Sequence, residues 1–390
     1  SASRPQLRWR DEIDNSDAPF VPRLRAKPNA LVPLQLVLVP PSEEAGSSGG
    51  RGRAEPATWY ANPYEREISA FAPSDAQLLP GPDRPFAPLH ATPCTWVDSE
   101  ATLTHMRARL AAAAEIAIDL EHHSYRSYRG FVCLMQISTR DEDFLVDAIE
   151  LRGSLHLLNE TLTNPNVTKV LHGCDSDVLW LQRDFGIYLV GAFDTGQAAR
   201  LLELPSYSLA HLLSHYCAVS TNKAYQLADW RIRPLTEEMI AYARDDTHYL
   251  LYLYDRLRAE LHGRGLCAAA WARTAELCKQ AHKVKPFDAD ESAALLRRHA
   301  APLSAAQRAV HRALYCWRDA MARAADESSG YVLPNHLMLR VAMAMPRTPE
   351  QLHAACHPLP PVLGYNSASV LSAIAMALPR SAIDHEKKVP

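Results

Sequence analysis

Three strand-like segments follow one another between residues 116 and 149, and they limit the folds open to this chain. The middle one, residues 130–139, is almost wholly apolar, which predicts a strand in the centre of a sheet whose two faces are both covered. Two further strand patterns, at 167–173 and 190–194, alternate with helical segments. Consecutive strands followed by alternating helices and strands predict an α/β domain with a mixed sheet flanked by helices.

The chain changes character along its length. The first hundred residues are rich in proline, and their Gly/Ser-rich stretch at 42–53 cannot bury enough apolar surface to order itself. Near the C-terminus, helical patterns separated by prolines replace the strands. We therefore predict an extended N-terminal arm over 1–100 with a disordered segment, an α/β domain over 101–282, a linker over 283–295, a small all-α domain over 296–380 and a tail over 381–390.

Composition excludes several classes of protein. With 47% apolar and 22% charged residues, the 390-residue chain is globular rather than disordered. The longest apolar stretch, 30–40, is interrupted by Pro33 and Gln35 and is too short to span a bilayer, so we expect no membrane association. The eight cysteines form no Cys-x-x-Cys pair, which argues against zinc and for free thiols in a reducing compartment.

Two carboxylates lie close together on the first predicted strand. The strand period of two puts Ile116, Ile118 and Leu120 on one face and Asp119 with Glu121 on the other. Adjacent carboxylates repel each other unless a cation lies between them. A strand end that enters solvent would also produce this pattern, and an Asp-x-Glu triplet is common by chance.

A third acidic residue lies on the apolar stripe of a long helix, predicted over 237–261. Asp246 continues the spacing of Met239 and Ala243, so it faces the core, where a carboxylate is costly unless it is paired or binds a metal. A salt bridge to Arg231 or Arg233 is the alternative. Tyr242 lies one turn earlier on a neighbouring part of the same face.

The turn after the strand at 167–173 offers a fourth acidic position. Functional sites form at the C-terminal ends of strands in such sheets. Asp175 is well placed to cap the following helix, so Asp177 is the better candidate for the site, although spacing alone does not separate the two. Carboxylates without His or Cys favour Mg²⁺ or Mn²⁺, and two such ions suit in-line displacement at phosphorus.

These segments carry a resemblance to a known family. Asp119-Leu120-Glu121, Asp177 and the stretch from Tyr242 to Asp246 resemble the three exonuclease motifs of the DEDD superfamily, in its tyrosine branch. Residues 119–128, 134–140, 225–235 and 242–255 resemble the eukaryotic RNase D relative attached to the nuclear RNA exosome, and the final helical segment resembles an HRDC domain. The resemblance covers essentially the whole chain and implies an RNase H-like exonuclease domain.

The resemblance also implies roles for individual residues. Asp119, Glu121 and Asp246 are implied to bind a first divalent ion, with Asp119 bridging to a second ion that Asp177 supports. Tyr242 is implied to orient the attacking water; an ordinary tyrosine pKa of about 10 makes it a poor base, so water activated by a metal ion is the better nucleophile. The residues implied to grip the terminal nucleotide of RNA are His122, Trp180, Lys223 and Gln226.

The implied function is hydrolytic 3′-5′ exoribonuclease activity in nuclear RNA processing and decay, releasing nucleoside 5′-monophosphates with two divalent ions and no organic cofactor. Implied partners are the 3′ end of single-stranded RNA, the nuclear exosome core and its cofactor proteins, and the implied location is the nucleus, including the nucleolus. A non-catalytic RNA-binding scaffold is one alternative, although the complete acidic motifs argue against it. A 3′-5′ DNA exonuclease is another, because the chemistry of the motifs requires no 2′-hydroxyl. Residues 297–380 carry 9 basic and 4 acidic side chains, which either attract RNA phosphates or simply face solvent.

Overall fold

A computed structural model describes residues 4–40, 58–82, 84–221, 223–297 and 302–378 of the protein. The predicted disordered stretch at 42–53 and the predicted tail at 381–390 lie outside these residues. The backbone of Lys223 is described, but its side chain is not.

Within the described residues, eight strands form two sheets: β1 (Leu38–Val39), β2 (Trp59–Tyr60), β3 (Cys94–Val97), β4 (Glu115–His123), β5 (Phe131–Ser138), β6 (Asp143–Asp147), β7 (Thr168–Leu171) and β8 (Ala192–Asp194). The first two pair in the arm, and the others form one sheet in the order β3-β6-β5-β4-β7-β8. Strand β5 is antiparallel to both neighbours, whereas the remaining pairs are parallel. The predicted mixed sheet with an interior apolar strand is therefore confirmed, and β3 is an edge strand that sequence analysis did not identify.

Helices cover both faces of the sheet and make up the C-terminal region. The α-helices are α1 (Glu65–Ala70), α2 (Asp75–Leu78), α3 (Glu100–Ala111), α4 (Asn159–Leu162), α5 (Asp175–Phe185), α6 (Thr195–Leu201), α7 (Leu209–Leu212), α8 (Glu237–His248), α9 (Leu250–Gly263), α10 (Cys267–Cys278), α11 (Glu291–Leu296), α12 (Ala305–Ala325), α13 (Ser329–Val332), α14 (Asn335–Ala344), α15 (Pro349–Ala355), α16 (Pro361–Tyr365) and α17 (Ser367–Ala377). Short 3₁₀ helices span Pro5–Glu12, Leu89–Ala91, Leu155–Leu158 and Lys223–Tyr225, and a π-helix spans Leu213–Cys217. Within the described residues, no helix has both the length and the apolar character needed to cross a bilayer.

The helix predicted over 237–261 is two helices, which corrects the sequence-based prediction. The apolar, core-facing residues keep their helical spacing throughout 237–261, but α8 ends at His248 and α9 begins at Leu250. Tyr249 separates them with φ −93° and ψ −10°. These angles depart little from those of a helix, so the apolar periodicity continues across Tyr249. The spacing of apolar residues alone therefore did not reveal the break between the two helices.

Alternation along β4 assigns its side chains to opposite faces of the sheet. Ile116, Ile118 and Leu120 contribute to one apolar core, whereas Ala117 belongs to a different core on the other face, with residues of α9. By the same period of two, Asp119 and Glu121 lie on the face of Ala117. The two carboxylates therefore point towards the side of the sheet where α8 and α9 pack.

A buried polar network fixes α8 against the ends of β5 and β6. Asp143 Oδ2 accepts a hydrogen bond from Arg244 Nε at 2.9 Å and lies 3.1 Å from His248 Nδ1. Ser138 Oγ lies 2.8 Å from Thr247 Oγ1 and 2.7 Å from Asp143 Oδ1. Since these contacts hold the C-terminal half of α8, they set where Asp246 lies relative to the sheet.

The C-terminal helical domain contacts the loop between β4 and β5. Arg126 donates from Nε and Nη2 to the two carboxylate oxygens of Glu327, at 2.9 and 2.7 Å. Tyr128 Oη donates to Asp319 Oδ1 at 2.6 Å, and its ring packs against the apolar core of the helical domain. The turn that follows the acidic strand is thus bound to the second domain.

Candidate active site

Three carboxylates converge where β4 meets α8. One carboxylate oxygen from each of Asp119, Glu121 and Asp246 can be chosen such that all three lie within 4.8 Å of one another. Asp119 and Glu121 come from alternate positions of β4, and Asp246 comes from the third turn of α8. Three oxygen ligands at this spacing match the coordination that hard divalent cations prefer.

Burial and neighbouring negative charges raise the pKa of each of these acids. Burial, followed by the charges of Asp246, Asp177 and Glu121, raises the pKa of Asp119 well above its usual value. The pKa of Glu121 rises to about 9 because of burial and then the charges of Asp246 and Asp177. Burial and the charge of Asp245 raise the pKa of Asp246 to about 7. Buried acids that repel one another in this way are fully ionised only when a cation compensates them.

The salt bridge considered for Asp246 does not form. Arg231 instead pairs with Asp229, with Nη2 2.7 Å from Oδ2. Arg233 pairs with Asp147, with Nε 2.5 Å from Oδ2. Because both arginines are engaged elsewhere, they do not neutralise Asp246, and the donor set fits a divalent ion.

Asp177 lies beside the three-carboxylate cluster, although it is not one of its members. It is in the first turn of α5, only 7% of its surface is exposed, and its charge contributes to the raised pKa values of Asp119 and Glu121. Its own pKa rises to about 7, through burial and then the charges of Asp194 and Asp175. Asp175 is exposed, and the capping role considered for it is wrong: α5 has Cys174 at its N-cap and no side-chain cap.

Tyr242 lies one turn before Asp246 and shares a hydrogen bond with it. Its ring centroid is 6.0 Å from those of Tyr225 and Trp230, so the phenol is held between the carboxylates and an aromatic wall. Burial, and then the charges of Asp246, Glu121 and Asp119, raise the pKa of Tyr242 above its usual value. The hydroxyl therefore stays protonated at neutral pH and acts as a hydrogen-bonding group rather than a base.

His122 and Trp180 form a stacked pair next to the cluster. Their ring centroids are 4.2 Å apart and the planes are 7° from parallel. Burial, followed by the charge of Arg183, lowers the pKa of His122 to about 3, so the imidazole is neutral. Trp180 is half-buried and also packs against the apolar core, which means that core packing and a stacking surface coexist in this residue.

The other two predicted nucleotide contacts lie on one loop. Lys223 belongs to a 3₁₀ turn that ends at Tyr225, and Gln226 follows it with an exposed side chain. Tyr225 contacts Tyr242, so this loop adjoins the acidic cluster.

Sequence analysis missed two residues that contact the site. Gln136 lies opposite Asp119 in the β4–β5 register and donates from Nε2 to Glu121 Oε1 at 3.4 Å. Arg183 lies 3.1 Å from His122, measured between Nη2 and Nε2. Helical spacing could have revealed Arg183, because it is three positions after Trp180 on α5. A buried Gln in an apolar strand was the signal for Gln136, since such a group needs a polar partner.

Comparison with known proteins gives a consistent result. The sequence profile of a 3′-5′ exonuclease family matches residues 94–262, and that of the HRDC domain matches residues 307–374. Exosome complex component 10 of Homo sapiens is 46% identical over 382 residues, covering 92% of this chain and 43% of that protein. Exosome complex exonuclease RRP6 of Saccharomyces cerevisiae is 42% identical over 358 residues, covering 88% of this chain and 47% of that protein. The chain thus spans less than half the length of either relative.

A solved structure matches almost end to end. The catalytic core of RRP6 from Trypanosoma brucei has a TM-score of 0.86 and 36% identity, and the match covers 97% of this chain and 99% of that one. RNase D of Escherichia coli shares the fold at 24% identity, with a TM-score of 0.54 over 74% of this chain and 76% of that one.

Proposed function

Because the chain belongs to the RRP6 family and carries its exonuclease and HRDC domains, we propose that it is a hydrolytic 3′-5′ exoribonuclease that acts in RNA processing and decay and releases nucleoside 5′-monophosphates. The observation that carries the proposal is the convergence of Asp119, Glu121 and Asp246 within 4.8 Å. Glu121 is buried and the other two carboxylates are partly buried. Carboxylates so close together, with raised pKa values and no basic partner among the described residues that neutralises them, are suited to holding divalent cations.

In the proposed mechanism the acids have distinct tasks. Asp119, Glu121 and Asp246 would hold one divalent ion, and Asp119 together with Asp177 would hold a second. Two bound divalent ions, Mg²⁺ or Mn²⁺, supply positive charge that activates water and stabilises the leaving oxygen. The protein's own contribution is to fix these oxygens on β4, α5 and α8, a strand of the sheet and two helices that pack against that sheet.

The remaining residues orient the substrate. The protonated hydroxyl of Tyr242 donates a hydrogen bond and thereby positions the attacking water in line with the scissile bond. Trp180 and His122 hold the terminal nucleoside, since an aromatic surface binds bases without reading their sequence. Lys223 and Gln226, on the adjoining loop, hold the phosphate and the nucleotide edge.

A direct assay tests this function. Purified protein is incubated with 5′-labelled single-stranded RNA in Mg²⁺, in EDTA, and as the Asp246→Asn variant. We expect stepwise shortening in Mg²⁺ alone, with loss of at least about 10²-fold in the variant, as is usual when charge stabilisation of the transition state is removed. Glu238→Gln is the matched control, because Glu238 is an exposed carboxylate on the same helix. Degradation that continues unchanged in Asp246→Asn would overturn the assignment.

The same assay separates the alternatives. A non-catalytic scaffold would bind the RNA without shortening it in any metal. A DNA exonuclease would digest a single-stranded DNA of the same sequence at least as fast as the RNA. An exoribonuclease that contacts the 2′-hydroxyl, which only RNA carries, would digest the RNA faster.

The relatives' names extend the proposal to partners and location. Since they are exosome components, we infer that this chain associates with an RNA exosome and its cofactor proteins in the nucleus, including the nucleolus. Co-purification of a tagged chain with exosome subunits, together with imaging of a fluorescent fusion, tests this inference. We also propose the division into an arm, an exonuclease domain over 101–282, a linker over 283–295 and an HRDC domain over 296–380. Limited proteolysis should separate the exonuclease and HRDC domains by cutting within the linker.

A further inference from the structure

Arg183 is held rigidly within α5 by several hydrogen bonds. Its Nε and Nη2 donate to the two oxygens of Asp184, at 2.8 and 3.0 Å, and its Nη1 donates to the backbone carbonyl of Arg129 at 2.8 Å. Asp184 is itself buried and accepts from the backbone N–H of Val132 at 2.7 Å. The guanidinium therefore has a fixed position relative to β5, the neighbour of the acidic strand.

One N–H of Arg183 remains directed at His122. Nη2 carries two hydrogens; one is used by Asp184, and Nη2 also lies 3.1 Å from His122 Nε2. A guanidinium has donors and no acceptor, so His122 Nε2 must accept this hydrogen bond and cannot carry a proton. In the neutral ring the proton then lies on Nδ1.

The surroundings prevent the ring from moving to another arrangement. Trp180 covers one face of the imidazole at 4.2 Å. Gly130 closes the edge next to Arg183: a Cβ at this position would lie 2.2 Å from His122 Cε1 and 2.7 Å from Nε2. The backbone of Gly130 also has φ +69°, which favours glycine. Only a residue without a side chain leaves space for His122 in this orientation.

We propose that Arg183 is a positioning residue that holds His122 in the Nδ1-protonated neutral tautomer, so that His122 presents a hydrogen-bond donor to an oxygen of the terminal nucleotide. The donor on Nδ1 has no acceptor among the described residues. An acceptor from the substrate, a ribose or phosphate oxygen, would complete its hydrogen bonding. This inference rests on the proposed exonuclease function, and it adds that the nucleotide-binding surface is organised before the substrate arrives.

Arg152 offers a matched control for Arg183. Arg152 pairs with the same buried carboxylate, with Nη2 3.3 Å from Asp184 Oδ1. In the described part of the chain, Arg152 makes no hydrogen bond to His122. A lysine at either position keeps a positive charge beside Asp184. A lysine at 183 has a single amino group, so it cannot donate hydrogen bonds to both Asp184 and His122 as the forked guanidinium does.

The test combines spectroscopy and kinetics. Protein labelled with [¹⁵N]histidine is studied by long-range ¹H–¹⁵N correlation at neutral pH in Mg²⁺, and the His122 resonances are assigned with His122→Gln. We expect the Nδ1-protonated tautomer in the wild type and in Arg152→Lys, and a mixture or the Nε2-protonated form in Arg183→Lys. We also expect Arg183→Lys to raise KM for RNA by about five- to tenfold, the usual effect of one lost orienting hydrogen bond, with a smaller effect on kcat.

Several results would overturn the inference. A wild-type His122 protonated on Nε2 would exclude it, and so would an unchanged tautomer in Arg183→Lys. Should Arg183→Lys fail to fold, Gly130→Ala replaces it, because the added methyl group displaces the ring while every charge is retained; an unchanged tautomer there also counts against the inference. The spectra require no catalysis, so a protein without nuclease activity would refute the proposed function and still allow the tautomer to be determined.

Discussion

Arg244 Nε donates a hydrogen bond to Asp143 Oδ2 over 2.9 Å, and the two residues are 101 positions apart in the chain. The contact joins α8 to the start of β6, and Asp143 also accepts from Ser138. Because Asp246 and Tyr242 lie on the same helix, the position of the candidate catalytic groups depends on this buried pair.

Removing the carboxylate of Asp143 should therefore reduce stability strongly. In Asp143→Ala, the partly buried guanidinium of Arg244 keeps its hydrogen bonds to the carbonyls of Leu89 and Thr92 but loses its carboxylate partner, and breaking a buried ion pair in this way typically costs about 3–5 kcal/mol. Urea denaturation measures the free energy of unfolding. Glu150→Ala is the control, since Glu150 pairs with Arg8 at the exposed surface and should contribute about 0–1 kcal/mol. Equal losses in the two variants would contradict the expectation.

Lys169 predicts a specific pH dependence of stability. Its side chain is fully buried, Nζ donates to the carbonyls of Asn164 and Val167 at 2.7 and 2.5 Å, and burial lowers its pKa to about 7. The unfolded chain, with a lysine pKa of about 10.4, binds this proton between pH 7 and 10 while the folded chain does not, so Lys169 favours folding increasingly as pH rises through that window.

Lys169→Met isolates this contribution, because it removes only that titration. The stability of the wild type relative to the variant should increase from pH 7 to pH 9.5, by at most about 1.4 kcal/mol per pH unit. Guanidinium denaturation at pH 6.5, 8 and 9.5 measures the difference. A difference that does not change with pH would mean that the ammonium group is already well solvated.

Metal binding should release protons. The raised pKa values of Glu121 and Asp246, about 9 and about 7, mean that these acids hold protons at neutral pH that a cation must displace. We expect about one to two protons released per site, and tighter Mn²⁺ binding as pH rises. Calorimetric titration in two buffers of different ionisation enthalpy measures the number. Asp119→Asn should abolish the signal, and binding without proton release would contradict the prediction.

Tyr242→Phe separates orientation from proton transfer. The variant keeps the ring packed against Tyr225 and Trp230 and removes only the hydroxyl. We expect kcat to fall by about 10- to 100-fold, within the range for a lost positioning group, with an unchanged pH profile of kcat/KM between pH 6 and 9. An activity that depends on a phenolate would instead rise steeply at high pH in the wild type, and that rise would vanish in the variant.

Sequence patterns predicted well those elements whose signals are local. The C-terminal helical patterns are an example: helix α12 begins at a capping box of Ser304 and Gln307 and ends where Asp326 adopts a left-handed conformation. Strand β3 was missed because it is short, follows a proline-rich segment and is stabilised by pairing with β6, which is a non-local contact.

The same distinction holds for the site. The acids of β4 and α8 were predicted from their place in strand and helix periods, because a carboxylate on a buried face is anomalous in the sequence itself. Arg183 carries only the weak signal of its spacing from Trp180, since an arginine on a helix normally faces solvent. Its role depends on Asp184, Gly130 and Arg129, which come together only in the folded chain.

The paired contacts of Arg126 with Glu327 and of Tyr128 with Asp319 have a mechanical consequence. They anchor the hairpin turn between β4 and β5, so any force or thermal loosening applied to the helical domain is transmitted to the strand that bears Asp119 and Glu121. The helical domain thus stabilises the sheet of the exonuclease domain, and the two domains should unfold in a single transition on heating.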